Sequence, residues 1–289
     1  MNYKIKQDIE TVMELTGFTA DLFAKEIGVS RMTINNWLSG KKDISENNMS
    51  NFYEYTFKKG IRLNKIKEQL YLEDMSDTEQ ILLFHGAKTG IDGRLRLDCS
   101  KKKNDFGAGF YCGANLEQSA MFVSTFPESS LYMLRFNPTG LTGKIYGVNR
   151  EWMLMIAYFR ERLGEYSCSE IIGNLIAQLQ GVDYIIAPIA DNRMFEIIDQ
   201  FIDGEITDIQ CRHCLSATNL GNQYVFVSER ALEQVDILER CYLSTAEKEY
   251  YLSSRQENYE INRDKVKVAR KQYRNQGHYI EDILNEKNG

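Results

Sequence analysis

The residue types able to do chemistry gather in a few places along this sequence. His85-Gly86 closes the apolar, strand-type run Ile81 to Phe84, so one of only three histidines stands at a strand end beside a glycine that lets a ligand approach the backbone. About one hairpin's length later, the stretch FGAGFYCGANLEQSAMF sets Gly107 and Gly109 around a small residue. Phe110 and Tyr111 follow as an aromatic pair, and Leu116 to Phe122 has the character of a helix start. Glycines admit a close backbone approach, and aromatic rings offer a flat face. Further on, the apolar strand VDYIIAPIADNR ends in the polar trio Asp191, Asn192 and Arg193. Asp191 suits a helix cap, and the trio also suits binding of a substrate or acceptor. CRHC at 211–214 offers one Cys-x-x-Cys with an intervening His but no second pair at zinc spacing, in a segment of helical character. That is too few ligands, and no metal site is expected.

The elements that must position these groups belong to an ordinary soluble composition, 43% hydrophobic and 26% charged over 289 residues, long enough for one large or two modest domains. A net charge of −6 argues against a generally basic surface, so any nucleic-acid contact must be local. No run of about 18 apolar residues is present, and the start MNYKIKQDIE does not read as a signal peptide, so a cytoplasmic location is expected. The six cysteines, at 99, 112, 168, 211, 214 and 241, are scattered and read as reduced thiols.

Residues 1–74 read as a helical domain. Ile5, Val12, Met13 and Leu15 suggest a first helix ending at Gly17; Thr19 caps a second with Leu22, Phe23 and Ile27 inward, stopped by Gly28. Ser30 caps a third, with Ile34, Trp37 and Leu38 on one face and a stop at Gly40, and 44–57 continues as a further helix. The arrangement resembles the phage-repressor-like family of helix-turn-helix domains. That resemblance implies a third helix that enters the major groove, with Arg31, Met32, Thr33 and Asn36 toward base edges and Lys41 and Lys42 toward phosphates. Eleven Lys and Arg balance eleven Asp and Glu over these residues, so a homodimer is expected to be needed for useful DNA affinity.

A second domain is expected over 75–240. Lys101 to Lys103 read as a solvated loop tip, SLYMLRFNP as a strand with LTGKIYGV as its hairpin partner, and residues 150–162 and 169–180 as helices with Trp152, Met153 and Met155 in the core. In NQYVFVSERAL, alternation places Gln223, Val225 and Val227 on one face, with Ser228 set to cap a closing helix. Residues 241–289 read as a helical, charged extension with Tyr279, Ile280, Ile283 and Leu284 on an apolar turn.

Three motifs, in order, carry a second resemblance over roughly residues 79–232: His85-Gly86, Gly107-Ala-Gly109-Phe-Tyr111, and Ser119-Ala120-Met121-Phe122. Together they resemble the nucleotide-binding half of the poly(ADP-ribose) polymerase-like ADP-ribosyltransferases, and more narrowly bacterial ADP-ribosyltransferase-like proteins with an amino-terminal helix-turn-helix. The fold implied is α+β: an all-helical domain, then a split β-sheet with flanking helices. NAD is implied as substrate. The resemblance assigns His85 to a ribose hydroxyl, Gly86 and Ser119 to the nicotinamide amide, and Tyr111 and Phe122 to the nicotinamide ring, with Gly107 and Gly109 lining the same pocket. The family's catalytic glutamate, in a strand reading Asn-Glu-Tyr-x-Val, is Gln223 here.

Transfer of ADP-ribose breaks the bond from nicotinamide nitrogen to ribose carbon through an oxocarbenium-like transition state. Gln223 keeps a hydrogen bond there but not the charge, which would slow the step. His85, Tyr111 and Gln223 are thus the expected catalytic set, and Asp191 the expected displaced carboxylate. The function expected is NAD-dependent mono-ADP-ribosyl transfer of bacterial toxin or defence type, to an unidentified protein or nucleic-acid acceptor. The alternative is a non-catalytic NAD or ADP-ribose sensor regulating transcription.

Overall fold

The computed structural model describes residues 3–218 and 220–285. Helices lead the chain: α1 (Ile5–Thr16), α2 (Ala20–Ile27), α3 (Arg31–Leu38), α4 (Glu46–Lys58) and α5 (Leu63–Asp74). Strand and helix then mix: β1 (Ile81–Ala87), β2 (Phe110–Gly113), α6 (Leu116–Val123), β3 (Ser130–Phe136), β4 (Gly143–Ile145), α7 (Arg150–Phe159), α8 (Glu170–Ala177) and β5 (Tyr184–Pro188). The chain closes with α9 (Asn192–Ile202), α10 (Asp208–Ser216), β6 (Asn222–Phe226), α11 (Glu229–Leu232), β7 (Val235–Cys241), α12 (Thr245–Gln272) and α13 (Ile280–Asn285). The strands form a seven-stranded sheet in the order β4-β5-β6-β2-β1-β3-β7. Among the described residues no helix is long and apolar enough to cross a membrane.

Two compact units result, and they cut across the division at residue 74. One is built from residues 1–92, 116–135 and 237–254; the other from 93–115, 136–236 and 255–289.

The leading helices of the first unit start and stop on local chemistry. Thr19 and Ser30 accept the N–H groups of Leu22 and Thr33 at 3.3 and 3.1 Å, and Gly17 and Gly28 close α1 and α2 in the left-handed conformation. Their core is Ile9, Val12, Phe23, Ala24, Ile27, Ile34, Trp37, Phe52, Tyr53 and Leu63. One residue expected inward lies outside it: Leu22 is 43% exposed, because Phe23 with Ala24 and Ile27 takes the inward positions of α2; on α1, Ile9 and Val12 face the core and Leu15 is 56% exposed. In the same unit a polar knot ties α1 and α5 to β7. The Lys67 ammonium donates to Asp8 at 2.7 Å and to Glu239 at 2.5 Å, and the Tyr53 hydroxyl donates to Asp8 at 2.5 Å, all buried. Beside it, Tyr53 stacks on Tyr242 with ring centroids 4.5 Å apart, and Asn64 donates to the buried Glu247 at 3.1 Å. A separate apolar cluster joins Leu82 and Phe84 of β1, Leu116, Ala120 and Val123 of α6, and Leu131 and Met133 of β3.

In the second unit β6 is the inner strand, antiparallel to β5 on one side and to β2 on the other, with Gln223 opposite both Ala187 and Gly113. β4 lies parallel to β5, with Lys144 beside Ile185. This corrects the expected hairpin: LTGKIYGV pairs with the strand at 184–188 and is no partner of β3, whose neighbours in the sheet are β1 and β7. A turn at residues 138–141 does precede β4, closed by the Leu141 N–H on the Pro138 carbonyl at 3.0 Å, but it does not fold β4 back on β3, and β4 finds its partner through tertiary pairing. One face of these strands, through Tyr111, Ile185, Ala187 and Val225, packs on the apolar sides of α7, α8, α9 and α10. Trp152, Met153 and Met155 are fully buried there. The buried Ile280, Ile283 and Leu284 of α13 join the same core, while Tyr279 stays 42% exposed.

Candidate functional site

In the first unit, the site residues sit where α6 lies against the end of β1. The strand runs past Phe84 through His85 and Gly86 to Ala87, so the histidine stands within the strand and half-buried. A Cβ built on Gly86 would come 2.3 Å from Val123 Cγ1, 3.3 Å from Phe122 Cδ1 and 3.4 Å from the Ser119 carbonyl oxygen. Only a glycine lets the helix approach this closely, and the approach brings Gly86, Ser119 and Phe122 together. Ser119 is buried, its hydroxyl 3.5 Å from the Phe84 carbonyl that it faces. Phe122 is 51% exposed, its ring edge-on to Phe126.

In the second unit, the glycine pair shapes a loop that its own tyrosine closes. Gly107 adopts φ +74°, and a Cβ on Gly109 would sit 2.7 Å from the Phe226 carbonyl oxygen, so the loop can lie against β6 only with glycine at that point. The Tyr111 hydroxyl donates to the Gly107 carbonyl at 2.7 Å and accepts the Phe106 N–H at 3.1 Å. Burial, with the Asp105 charge adding to it, pushes this phenol well above its ordinary range, so it stays protonated.

Gln223 stands on β6 in line with that loop and is buried. Its amide Nε2 donates to Asp105 Oδ2 at 2.7 Å and to the Pro188 carbonyl at 3.1 Å. Asp105 in turn accepts the Ala190 N–H at 3.2 Å and two bonds from Arg160, Nε at 3.0 Å and Nη2 at 2.5 Å. The same guanidinium donates to the Ala190 carbonyl at 2.6 Å and lies 4.0 Å from the centre of the Phe195 ring. Asp105 and Arg160 were not singled out from the sequence. Asp105 ends a charged loop tip and Arg160 ends an apolar helix, and 55 residues separate them; no local pattern marks such a pair.

Asp191 follows Ala190 directly. Its carboxylate accepts the N–H groups of Arg193 and Met194, each at 3.0 Å, as the N-cap of α9. Asn192 is exposed, and the Arg193 guanidinium lies over the Tyr259 ring. In α10, Cys211 and Cys214 are buried and face the carbonyls of Ile197 and Val266, while His213 stacks flat on Tyr273 with centroids 3.6 Å apart. Desolvation, with Arg212 beside it, lowers the His213 pKa and favours the neutral ring. On α3, Arg31 and Met32 are exposed, as are Lys41 and Lys42 beyond it; Thr33 and Asn36 are half-buried, and the Thr33 hydroxyl is 2.9 Å from Ser30 Oγ.

A family model described as "Protein of unknown function (DUF3990)" matches residues 81–237. No curated protein and no solved structure matches the chain.

Proposed function

The chain belongs to the DUF3990 family, and from the residues held within the matched span we propose that it is an NAD-dependent mono-ADP-ribosyltransferase of bacterial toxin or defence type. It would release nicotinamide and pass ADP-ribose to a protein or nucleic-acid acceptor. The observation that carries this reading is the contact of Gly86 with Ser119 and Phe122. Three residues that the resemblance assigns to nicotinamide are neighbours, though more than thirty positions separate the first from the others. Phe122 keeps an exposed face for stacking, an interaction worth about 0.5–1.5 kcal/mol beyond its buried area. The resemblance also assigns His85 to the adenine-side ribose and Tyr111 to the nicotinamide ring. The fold implied is the split-sheet ADP-ribosyltransferase type behind a helix-turn-helix. The exposed Arg31, Met32 and Lys41 would approach duplex DNA, with Thr33 and Asn36 at the rim.

A second reading, an NAD or ADP-ribose sensor without turnover, is favoured by one observation: both hydrogen-bond donors of the Gln223 amide are taken, by Asp105 and Pro188. One experiment separates the two. The purified protein is incubated with labelled NAD, cell lysate and nucleic acid, and free nicotinamide and label are followed together. Nicotinamide release with label moving to one macromolecular fraction, lost in Tyr111→Ala, supports the transferase. Saturable NAD binding with no release supports the sensor. Absence of NAD binding at millimolar concentration rejects both.

A further inference from the structure

We propose that Gln223 is a positioning residue: its amide clamps the Asp105 carboxylate and thereby holds the 105–109 loop and Tyr111 on β6. This rests on the NAD reading for its functional consequence and on the geometry for its physical one. Asp105 is 6% exposed, as is Gln223, and its carboxylate accepts from the Arg160 guanidinium, the Ala190 N–H and the Gln223 amide. Three parts of the chain converge on it: β6 through Gln223, the C-terminal end of α7 through Arg160, and the link between β5 and α9 through the Ala190 N–H. One residue beyond Asp105, the Phe106 N–H donates to the Tyr111 hydroxyl, which donates to Gly107. A continuous run of hydrogen bonds and peptide links therefore connects residue 223 to the aromatic ring proposed to meet nicotinamide. A residue placed to touch the reacting ribose would leave its head group toward the ligand; this one spends both amide protons on the loop and on Pro188.

The consequence separates this role from that of a softened catalytic glutamate. If Gln223 faced the ligand, Gln223→Glu would restore the missing charge and raise turnover. As a clamp, Gln223→Glu removes the only proton donors in the pair and sets two carboxylates where 2.7 Å now separates donor from acceptor. It also turns an oxygen toward the Pro188 carbonyl. The loop then loosens and ligand binding weakens.

The test uses the full chain with Gln223→Glu, Gln223→Ala, Asp105→Ala, Gln223→Ala/Asp105→Ala and Gln223→Glu/Asp105→Asn. Hydrogen exchange of the 100–113 peptide and titration with NAD are followed side by side. Gln223→Glu is expected to speed exchange there by tenfold or more and to weaken NAD binding by a similar factor, the scale of one hydrogen bond to a charged group. The two alanine changes together should do little more than either alone, and Asp105→Asn, which supplies an amide from the other side, should recover part of the Gln223→Glu loss. Unchanged loop exchange in Gln223→Glu, or a rise in nicotinamide release, would overturn the clamp. So would strict additivity of the alanine pair. If the unaltered protein binds no NAD, the ADP-ribosyl reading fails, and the exchange cycle still decides the clamp by itself.

Discussion

At the scale of single residues, the motif glycines and the motif tyrosine each have a structural reason that their place in a ligand-binding pattern does not reveal. Gly86 admits the Val123 side chain: a Cβ there would lie 2.3 Å from Cγ1. Gly86→Ala is therefore expected to cost about 1–3 kcal/mol by overpacking, read as a lowered midpoint in urea, and Gly86→Ala/Val123→Ala to recover most of it. Failure of the second change to recover stability would mean that the strand, not the helix contact, demands glycine. Tyr111 divides its work between ring and hydroxyl. Tyr111→Phe leaves the Phe106 N–H and Gly107 carbonyl without their partner, at about 1–3 kcal/mol, yet keeps the aromatic face. NAD affinity should then fall far less in Tyr111→Phe than in Tyr111→Ala; equal losses would show that the hydroxyl, through the loop, is what matters.

At the scale of elements, the joint between α5, β7 and the start of α12 stores the protein's response to pH. Burial pushes the Glu247 carboxyl up to about 7, against the lowering pull of its Asn64 bond and the Arg62 and Lys67 charges. Burial likewise raises Asp8 above its ordinary range, although Lys67 is bonded to it. Burial alone would strip Lys67 of its proton, but Asp8 and Glu239 together hold it charged. A carboxyl whose folded pKa lies above its unfolded value binds its proton more tightly in the native state. Its contribution is complete below the unfolded pKa, near 4.5, and is lost as pH rises through about 7. For Glu247 the loss is on the order of 3 kcal/mol. Equilibrium unfolding between pH 5 and 8 should show stability falling with pH, and Glu247→Gln should flatten that slope and raise stability at pH 8. A wild-type stability that rises over this range would contradict the assignment. Lys67→Met should be costly at pH 8, by about 3–5 kcal/mol, since it leaves Asp8 and Glu239 buried without their cation, and less costly as pH falls and the two carboxyls take up protons.

At the scale of the whole molecule, what could be read in the sequence was local. Thr19, Ser30, Asp191 and Ser228 cap helices as their spacing implies, because a cap acts over three residues. The mixed α/β character was equally legible. Contacts that close over long separations were not: Gln223 meets Asp105 across 118 residues and Lys67 meets Glu239 across 172, and neither pair interrupts the local pattern around it. The same limit applies to the division of the chain. A boundary at residue 74 matches the end of α5, yet the unit that holds these helices also takes in 81–92, 116–135 and 237–254. Glu239, Glu247 and Tyr242 find their partners on α4 and α5, and the Ala246 N–H donates to Glu54 at 3.0 Å. A fragment of residues 75–289 would keep the matched family span but expose that apolar and charged seam. With a buried pair broken at about 3–5 kcal/mol, and each kcal/mol worth some 2–4 °C in a domain of this size, it should melt about 10 °C or more below the full chain. Adding Glu239→Gln should recover part of the difference, since a neutral amide tolerates the loss of Lys67. A fragment that melts with the full chain would instead make the leading helices an independent module, joined to the rest by a linker alone.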